Sequence, residues 1–261
     1  MRCPICHEPL THHNKVFVCV NHHSFDQVRQ GYVNLSRKQK SSGDNAKMVQ
    51  ARSAFLESGP YDFLREEIRQ DLSGLHPGVL IDLGCGQGYY TKEFAQTARQ
   101  SYGIDLSVPA IVHAAGQDKK TQYIVSSIFD LPFEDDSADV AVSIFTPLPE
   151  KEVHRVLKPN GTFLVAGPGR EHLLELKEQL YEKVRLNDEP PAELEGFTLE
   201  SRKTIRKKKH IDDVKSLLEM TPYAYKTSKE AMERIENLKE GLDVTFEFVI
   251  SEWRKNDESG N

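Results

Sequence analysis

Cysteine is scarce in this chain, with four in 261 residues. Three lie close to the amino terminus and the fourth, Cys85, stands between two glycines. Nothing is left over for a disulfide framework, which fits a reducing compartment. Long apolar runs are missing as well: no stretch reaches the length of a bilayer span, and no charged-then-apolar leader opens the chain. A soluble, cytoplasmic protein without a membrane partner is the expectation. An excess of basic residues is also lacking. The formal charge of −6 argues against a nonspecific nucleic-acid binder. No internal repeat is present, and the length suits one α/β domain with a small appendage.

What is there begins with the distribution of charge. Residues 1–52 hold eight Lys or Arg (Arg2, Lys15, Arg29, Arg37, Lys38, Lys40, Lys47, Arg52) against three acids (Glu8, Asp26, Asp44), a formal +5, which leaves −11 for the rest. Three zinc-bound thiolates and one Zn²⁺ would lower the first figure by about one unit. A basic end of this kind suits docking on phosphates, although a solvated linker with incidental lysines is the plainer alternative.

That basic end carries Cys3, Cys6, Cys19 and His23 in a C-x2-C-x12-C-x3-H array. So short a segment cannot bury enough apolar surface to fold alone, and a structural metal supplies the missing stability. Zinc favours four soft or borderline ligands in a tetrahedron, and two short-spaced pairs joined by a hairpin provide them. Val16 to Val18 read as a strand leading into the second pair, with a turn near Asn14-Lys15, so a zinc ribbon is expected. A redox role for Cys3 and Cys6 lacks the strand–helix context it needs. His22 competes with His23 as fourth ligand, and His12 and His13 compete less well.

Residues 1–34 read as the ribbon and its exit, and 35–60 as a linker and connecting helix. Within the latter, 36–46 is polar and nearly free of apolar residues. Helices are expected at Ala46–Glu57 and about Tyr61–Leu72, where Leu64, Ile68 and Leu72 recur every four residues. Short strands then alternate with helical segments: 79–82, a helix over 91–99, strands 102–105, 122–125, 138–144 and 162–166. This implies a parallel, doubly wound sheet. Strands at 203–209 and 245–251 flank a helix over 212–219. Such a late antiparallel pair is the usual finish of class I methyltransferases. Residues 254–261 read as a frayed polar tail.

The first of these strands ends at Asp82 and runs into Gly84-x-Gly86-x-Gly88, glycines placed where a backbone turns sharply and lets a ligand approach. Position 89, where a dinucleotide fingerprint needs glycine, is Tyr89. Asp82 is awkward beside a pyrophosphate but suits a sulfonium and its amino group. Asp105 ends the second strand, where a carboxylate can accept both ribose hydroxyls, a feature NAD would share. The two earlier details favour S-adenosylmethionine. Ser126 and Ser127 follow the third strand, equally suited to a helix N-cap, and Ile128 to Phe133 would form the loop over the adenine. Phe145, Thr146 and Pro147 close the fourth strand, where such enzymes hold the target atom, and Tyr89 or Tyr90 could stack on a base. No general base stands out; Asp26 and Asp44 serve equally well as turn formers.

With these features placed, the chain resembles the RlmA family of bacterial 23S rRNA (guanine-N1)-methyltransferases over essentially its whole length. Its most specific features are C-P-x-C-H-x-P-L at 3–10, H-x-F-D at 23–26 and G-Y-V-N-L at 31–35. They continue with Gly43-Asp44, M-V-Q-A-R at 48–52, D-L-G-C-G-Q-G-Y-Y at 82–90, P-G-x-x-H-L at 168–173, L-x-G-F-T at 194–198 and M-T-P at 220–222. The resemblance implies an α/β class I methyltransferase fold, Rossmann-like and doubly wound, over residues 61–261, preceded by the zinc ribbon. It implies zinc on Cys3, Cys6, Cys19 and His23. It also implies S-adenosylmethionine against Tyr61, the glycine loop through Tyr90 and Thr91, Asp105 and His172. The implied target is N1 of one guanine in hairpin 35 of 23S rRNA, beside the macrolide-binding region of the exit tunnel. Members are associated with homodimers whose cleft receives the RNA. The segment Ser143–Pro147 departs from the bulkier, more basic version of one branch, which leaves the choice between two neighbouring guanines open. A methyltransferase for another RNA or a small molecule, or a non-catalytic RNA binder with a relict cofactor domain, are the competing readings.

Overall fold

The structure, a computed structural model, describes residues 1–37 and 45–256. The expected linker residues Lys38 and Lys40, together with Gly43 and Asp44, lie outside the described residues.

The chain opens with a three-stranded antiparallel ribbon, β1 (Leu10–His13), β2 (Val16–Cys19) and β3 (Ser24–Asp26). His13 pairs with Val16, so the β1–β2 loop is the two residues Asn14 and Lys15. Both have positive φ (48° and 65°), the twist a tight hairpin requires. Next come β4 (Val33–Asn34), α1 (Ala46–Glu57), α2 (Asp62–Leu75), β5 (Val79–Leu83), α3 (Thr91–Phe94), β6 (Gln100–Asp105), α4 (Val108–Gln117) and β7 (Thr121–Val125). The remainder is β8 (Ala138–Ile144), α5 (Glu150–Val156), β9 (Leu157–Pro168), α6 (Leu174–Leu180), β10 (Phe197–Ile211), α7 (Val214–Glu219), α8 (Lys229–Glu236) and β11 (Leu242–Lys255).

The main sheet has eight strands in the order β10-β11-β9-β8-β5-β6-β7-β4. Strands β4 to β9 run parallel, while β11 is antiparallel to both β9 and β10. Strand order reverses between β5 and β8, the switch point at whose carboxyl end ligands bind in such sheets. Alternate residues divide the core. Leu80, Val142, Leu164 and Phe246 meet Leu64, Ile68 and Leu72 of α2, with α6, α7 and α8 on the same face. Ile81, Ile124, Ala141 and Phe163 point the other way, onto Val153 and Val156 of α5.

That second face holds the main departure from expectation. Residues 126–137 cross from β7 to β8 without a helix, and the ribbon lies where one would. Phe17, Val33 and Leu35 share one buried cluster with Ile81, Ile104, Leu131 and Phe133, with Met1, Leu10 and Phe25 packed against it. Strand β4 adds to the sheet edge through Val33 and Asn34. Among the described residues, the ribbon's buried apolar side chains thus belong to the core of the main sheet.

Smaller differences have local causes. The helix expected over 91–99 is α3 running into a 3-10 turn at Ala95–Thr97. Strand β9 starts at Leu157, ahead of the apolar run, and its register shifts opposite Ala138 and Val140. Asp213 caps α7, accepting from Ser216 N at 3.0 Å, so that helix starts at Val214. Helix α8, which sequence reasoning missed, buries only Ala231 and Ile235. The tail begins later than expected, because Lys255 is buried in β11 with its Nζ 2.7 Å from Asp136 Oδ1 and Leu157 O.

Candidate active site and zinc cluster

The four ribbon ligands converge. Cys3, Cys6, Cys19 and His23 place their ligand atoms within 4.8 Å of one another. Cys6 and Cys19 sulfurs lie 3.6 Å apart, and His23 Nδ1 is 3.6 Å from Cys3 Sγ and 3.4 Å from Cys19 Sγ. A tetrahedron with Zn–S bonds near 2.3 Å has edges of about 3.8 Å, so these separations are of the size a zinc ion needs. Each pair sits on a tight turn closed by a residue at positive φ, His7 (62°) and His22 (61°). The turn at Cys3 donates Ile5 N–H to Cys3 Sγ at 3.4 Å and His7 N–H to Cys3 O at 2.9 Å. His22 spends its backbone closing the second turn, and His23 supplies the ligand.

At the carboxyl ends of β5, β6, β8 and β9 lies a cavity of about 990 Å³. Asp82, Gly84, Gly86 and Asp105 line it, as do Tyr61, Tyr89, Tyr90 and His172, Ser126 to Phe129, and Phe145, Thr146 and Pro147. Gly84 (φ 69°) has no room for a side chain, because a Cβ there would collide with Thr146. Gly86 (φ 52°) differs, since a Cβ there would meet nothing within 4 Å. Its missing side chain leaves open space in the cradle. Asp105 shapes that cradle through its two oxygens, which accept from Gly86 N at 3.0 Å and Ser107 N at 2.7 Å.

Two proposed cofactor residues act from behind the wall. Thr91 is fully buried and donates its hydroxyl to Asp82 Oδ2 at 2.6 Å, and Gly88 packs against Ala114 and Tyr123; neither lines the cavity. Burial lifts the Asp82 carboxyl to about 7, with the Asp105 charge adding and the Thr91 hydroxyl opposing. A cation beside Asp82 would reverse that penalty.

The cavity's own chemistry fits S-adenosylmethionine. Tyr90 Oη and Gln87 Nε2 are buried without a hydrogen-bond partner among the described residues, and both residues line the cavity. Buried polar atoms of this kind call for a partner, which a ligand in the cavity would supply. Gln87 would supply a donor, Tyr90 a hydroxyl, Asp82 a counter-charge, and Asp105 a ribose acceptor. Sequence reasoning passed over Gln87, although it stands between Gly86 and Gly88 of the loop.

The far end of the cavity is apolar and strained. Phe145 is 45% exposed and held at φ 54°, a conformation that costs an L-residue about 1–2 kcal/mol. Its ring contacts Tyr61, His172 and Phe248 at 6.1, 6.2 and 5.7 Å between centroids. Thr146 turns its hydroxyl back to Ile144 O at 3.1 Å. The rim comes from two segments not anticipated as site residues, Asp188–Pro191 and Met220–Tyr223. Asn187 ties them together: its Nδ2 donates to Gly169 O and His172 O, and its Oδ1 accepts from Tyr223 Oη at 3.3 Å and from Lys177. No periodicity marks such a hub. Asp26 is exposed on β3 and does not line the cavity.

Fold and site together define a class I S-adenosylmethionine-dependent methyltransferase built onto a structural zinc ribbon. A methyltransferase-domain profile matches residues 81–165, and the profile described as the N-terminal part of RlmA matches residues 1–42. The chain belongs to the RlmA family of 23S rRNA (guanine-N1)-methyltransferases. A Streptomyces fradiae protein named 23S rRNA (guanine(748)-N(1))-methyltransferase is 36% identical over 188 residues, 69% of this chain and 67% of that one. YxjB of Bacillus subtilis (strain 168), provisionally named as a 23S rRNA (guanine-N(1)-)-methyltransferase, is 31% identical, covering 95% of each chain. A solved structure from Anaeromyxobacter dehalogenans, provisionally described as a type II methyltransferase, superposes with a TM-score of 0.51 at 19% identity. It covers 72% of this chain and 95% of that one, a likeness of fold alone.

Proposed function

We propose that this protein methylates N1 of a guanine in hairpin 35 of 23S rRNA. The observation that carries the reading is the single cavity of about 990 Å³ that joins the glycine cradle to the exposed Phe145 ring. It lies at the upper end of ligand-site volumes, enough for a cofactor and a base together. The names of the Streptomyces and Bacillus relatives support the choice of rRNA and of N1. Ribbon residues 1–34 would help recognise the RNA, 35–60 would connect, and 61–261 would hold the chemistry. A ribosomal substrate would put the enzyme in the cytoplasm, and a homodimer would widen the surface offered to RNA. Among the described residues no helix is long and apolar enough to cross a membrane.

When bound, S-adenosylmethionine supplies an electrophilic methyl group on a positively charged sulfur. The protein's part is positioning and proton management. Tyr61, Asp82, Gly84, Gly86, Tyr90, Asp105 and His172 would hold the cofactor, with Gly88 and Thr91 supporting the loop. A guanine unstacked from its helix would lie on Phe145, with Thr146 and Pro147 shaping its seat. Guanine N1 keeps its proton at neutral pH, so a base must take it as the methyl arrives. Four carboxylates line the cavity. Asp105 is bound to backbone amides and Asp82 is buried against Thr91; Asp188 and Glu189, on the rim and paired with Arg185 and Arg202, are the remaining candidates to receive the proton.

Reverse transcription of a hairpin 35 transcript, incubated with enzyme and S-adenosylmethionine, tests the reading. An N1-methyl blocks the pairing edge and stops the polymerase at the modified guanine. Mass mapping that finds the methyl elsewhere, or no methyl in rRNA from cells expressing the protein, would refute it.

A further inference from the structure

Tyr61 and His172 lie side by side in the cavity wall, 2% and 6% exposed. The backbone N–H of Glu247 points at His172 Nδ1 over 3.3 Å. Such a donor can meet only a ring nitrogen that carries no hydrogen, so Nδ1 is an acceptor. Burial, reinforced by the Lys177 charge, drives the imidazole down to about 3. The neutral ring therefore keeps its one proton on Nε2. Nε2 lies 3.2 Å from Tyr61 Oη, so the imidazole donates and the phenol oxygen accepts.

This fixes where the phenol's own hydrogen can go. It cannot point at His172, because that direction is already filled by a hydrogen. Among the described residues Oη has no second partner. Edge contacts with Phe55, Phe145 and Phe246 at 6.4, 6.1 and 5.3 Å hold the ring in place. Burial pushes the phenol above its ordinary pKa, so the hydrogen stays on. The remaining direction is the cavity.

We propose that His172 is a positioning residue that acts through Tyr61, fixing the phenol hydroxyl as a one-way donor to an anionic oxygen in the cavity. Two ligands carry such an oxygen: the carboxylate of the cofactor, and O6 of the guanine as N1 loses its proton. The inference rests on reading the cavity as the methyl-transfer site.

Three measurements on the full-length, zinc-loaded protein test it. Nitrogen-15 spectra of the labelled histidines should show His172 as the Nε2–H tautomer, without titration between about pH 5 and 8. Tyr61→Phe should then lose about tenfold or more in one of two places. A weaker calorimetric Kd for S-adenosylmethionine identifies the carboxylate. An unchanged Kd with slower single-turnover methylation, the deficit vanishing on RNA carrying 6-thioguanine at the target, identifies O6. His172→Gln keeps a donor on the Nε2 side and should lose clearly less of that function than Tyr61→Phe does. His172→Met should match Tyr61→Phe and add nothing to it in the double variant. An Nδ1–H tautomer, a Tyr61→Phe variant with wild-type binding and turnover, or Gln and Met variants that behave alike would overturn the proposal. A wrong RNA would leave wild type inactive too, while the spectra and cofactor titrations would still decide.

Discussion

The backbone N–H of Arg2 donates to the carbonyl of Pro132 over 2.9 Å, joining the first residues of the ribbon to the segment that crosses from β7 to β8. Pro132 stands between Leu131 and Phe133, which are buried in the cluster that holds Phe17 and Leu35. From the other side Arg155 grips the same segment, donating to Phe133 O at 2.7 Å and Leu131 O at 3.0 Å. A few residues upstream, Ser126 to Phe129 line the cofactor cavity. The zinc ribbon thus braces one wall of the site.

Removing zinc should therefore reach the cofactor. With Cys19→Ser, or after chelation, the hairpin loosens and Phe17 and Leu35 lose their cover. Each buried side chain of that size is worth about 1.5–3 kcal/mol. The expected result is a clear fall in melting temperature together with a weaker S-adenosylmethionine Kd. Elemental analysis without zinc in the wild type, or a Cys19→Ser protein with unchanged melting and Kd, would contradict it.

Gly84 and Gly86 should respond differently to added bulk. At Gly84 even alanine drives Cβ into Thr146, so Gly84→Ala should destabilise the fold and disturb the Phe145–Pro147 seat. At Gly86 the added atoms enter empty space, and the fold bears only the strain of a side chain at positive φ, about 1–2 kcal/mol. Gly86→Val should melt close to wild type yet lose most S-adenosylmethionine affinity. Equal loss of stability in both variants would show that the open space at Gly86 is not the cofactor's.

How far this was legible in the sequence depended on whether the signal was local. Helix α1 and strand β8 follow the expected boundaries because their apolar spacing and the Asn45 cap are written within a dozen residues. The zinc ligands and the glycine cradle were likewise readable, since coordination and tight turns fix residue type at fixed spacing. The ribbon's docking was not. Phe17 reads as an ordinary strand residue, and only the missing helix between β7 and β8 shows what it covers. Asn187 and the rim it organises escaped for the same reason, because its partners at Gly169, His172, Lys177 and Tyr223 are assembled by the fold.

Two buried groups should give opposing pH dependences. Asp82, lifted from 3.8 to about 7, holds a proton that the unfolded chain has lost. Its contribution is present at low pH and lost as pH rises through that window. His172, lowered from 6.5 to about 3, refuses a proton that the unfolded chain takes. Its contribution is present above the ordinary value and lost as pH falls. Each is on the order of 4 kcal/mol, so between about pH 4 and 6.5 they largely cancel. Asp82→Asn should expose a stability that rises with pH over this range, and His172→Gln one that falls. Denaturation midpoints that track wild type in both variants would contradict the assignment.

Phe145 should matter more to turnover than to folding. Asparagine tolerates its left-handed backbone better, which offsets part of the lost ring packing against Tyr61 and His172. Phe145→Asn should therefore unfold near the wild-type midpoint. Stacking of a base on an aromatic ring is worth about 1–3 kcal/mol, so kcat/KM for RNA should fall by about tenfold or more, while the Kd for S-adenosylmethionine holds. Wild-type kcat/KM in this variant would move the target base away from the end of β8.

The salt dependence of RNA binding should separate the ribbon's charges from those of β10. That strand is rich in bases, but Lys203 pairs with Glu67 and Asp71, Arg206 with Glu171 and Glu247, and Lys208 with Glu175. Lys15, Arg29 and Arg37 are exposed and make no ion pair among the described residues. A cation already matched by a carboxylate releases little when it meets a phosphate, whereas an unmatched one displaces a counterion, worth about 0.7–0.9 in the slope of log K against log salt. Lys15→Gln and Arg29→Gln should each flatten that slope by about this amount, and Arg37→Gln should do the same if the linker also touches RNA. Arg206→Gln and Lys208→Gln should leave it nearly unchanged. The opposite ranking would place the RNA along β10, and deletion of residues 1–34 would not separate the two, because it also strips the sheet of its cover.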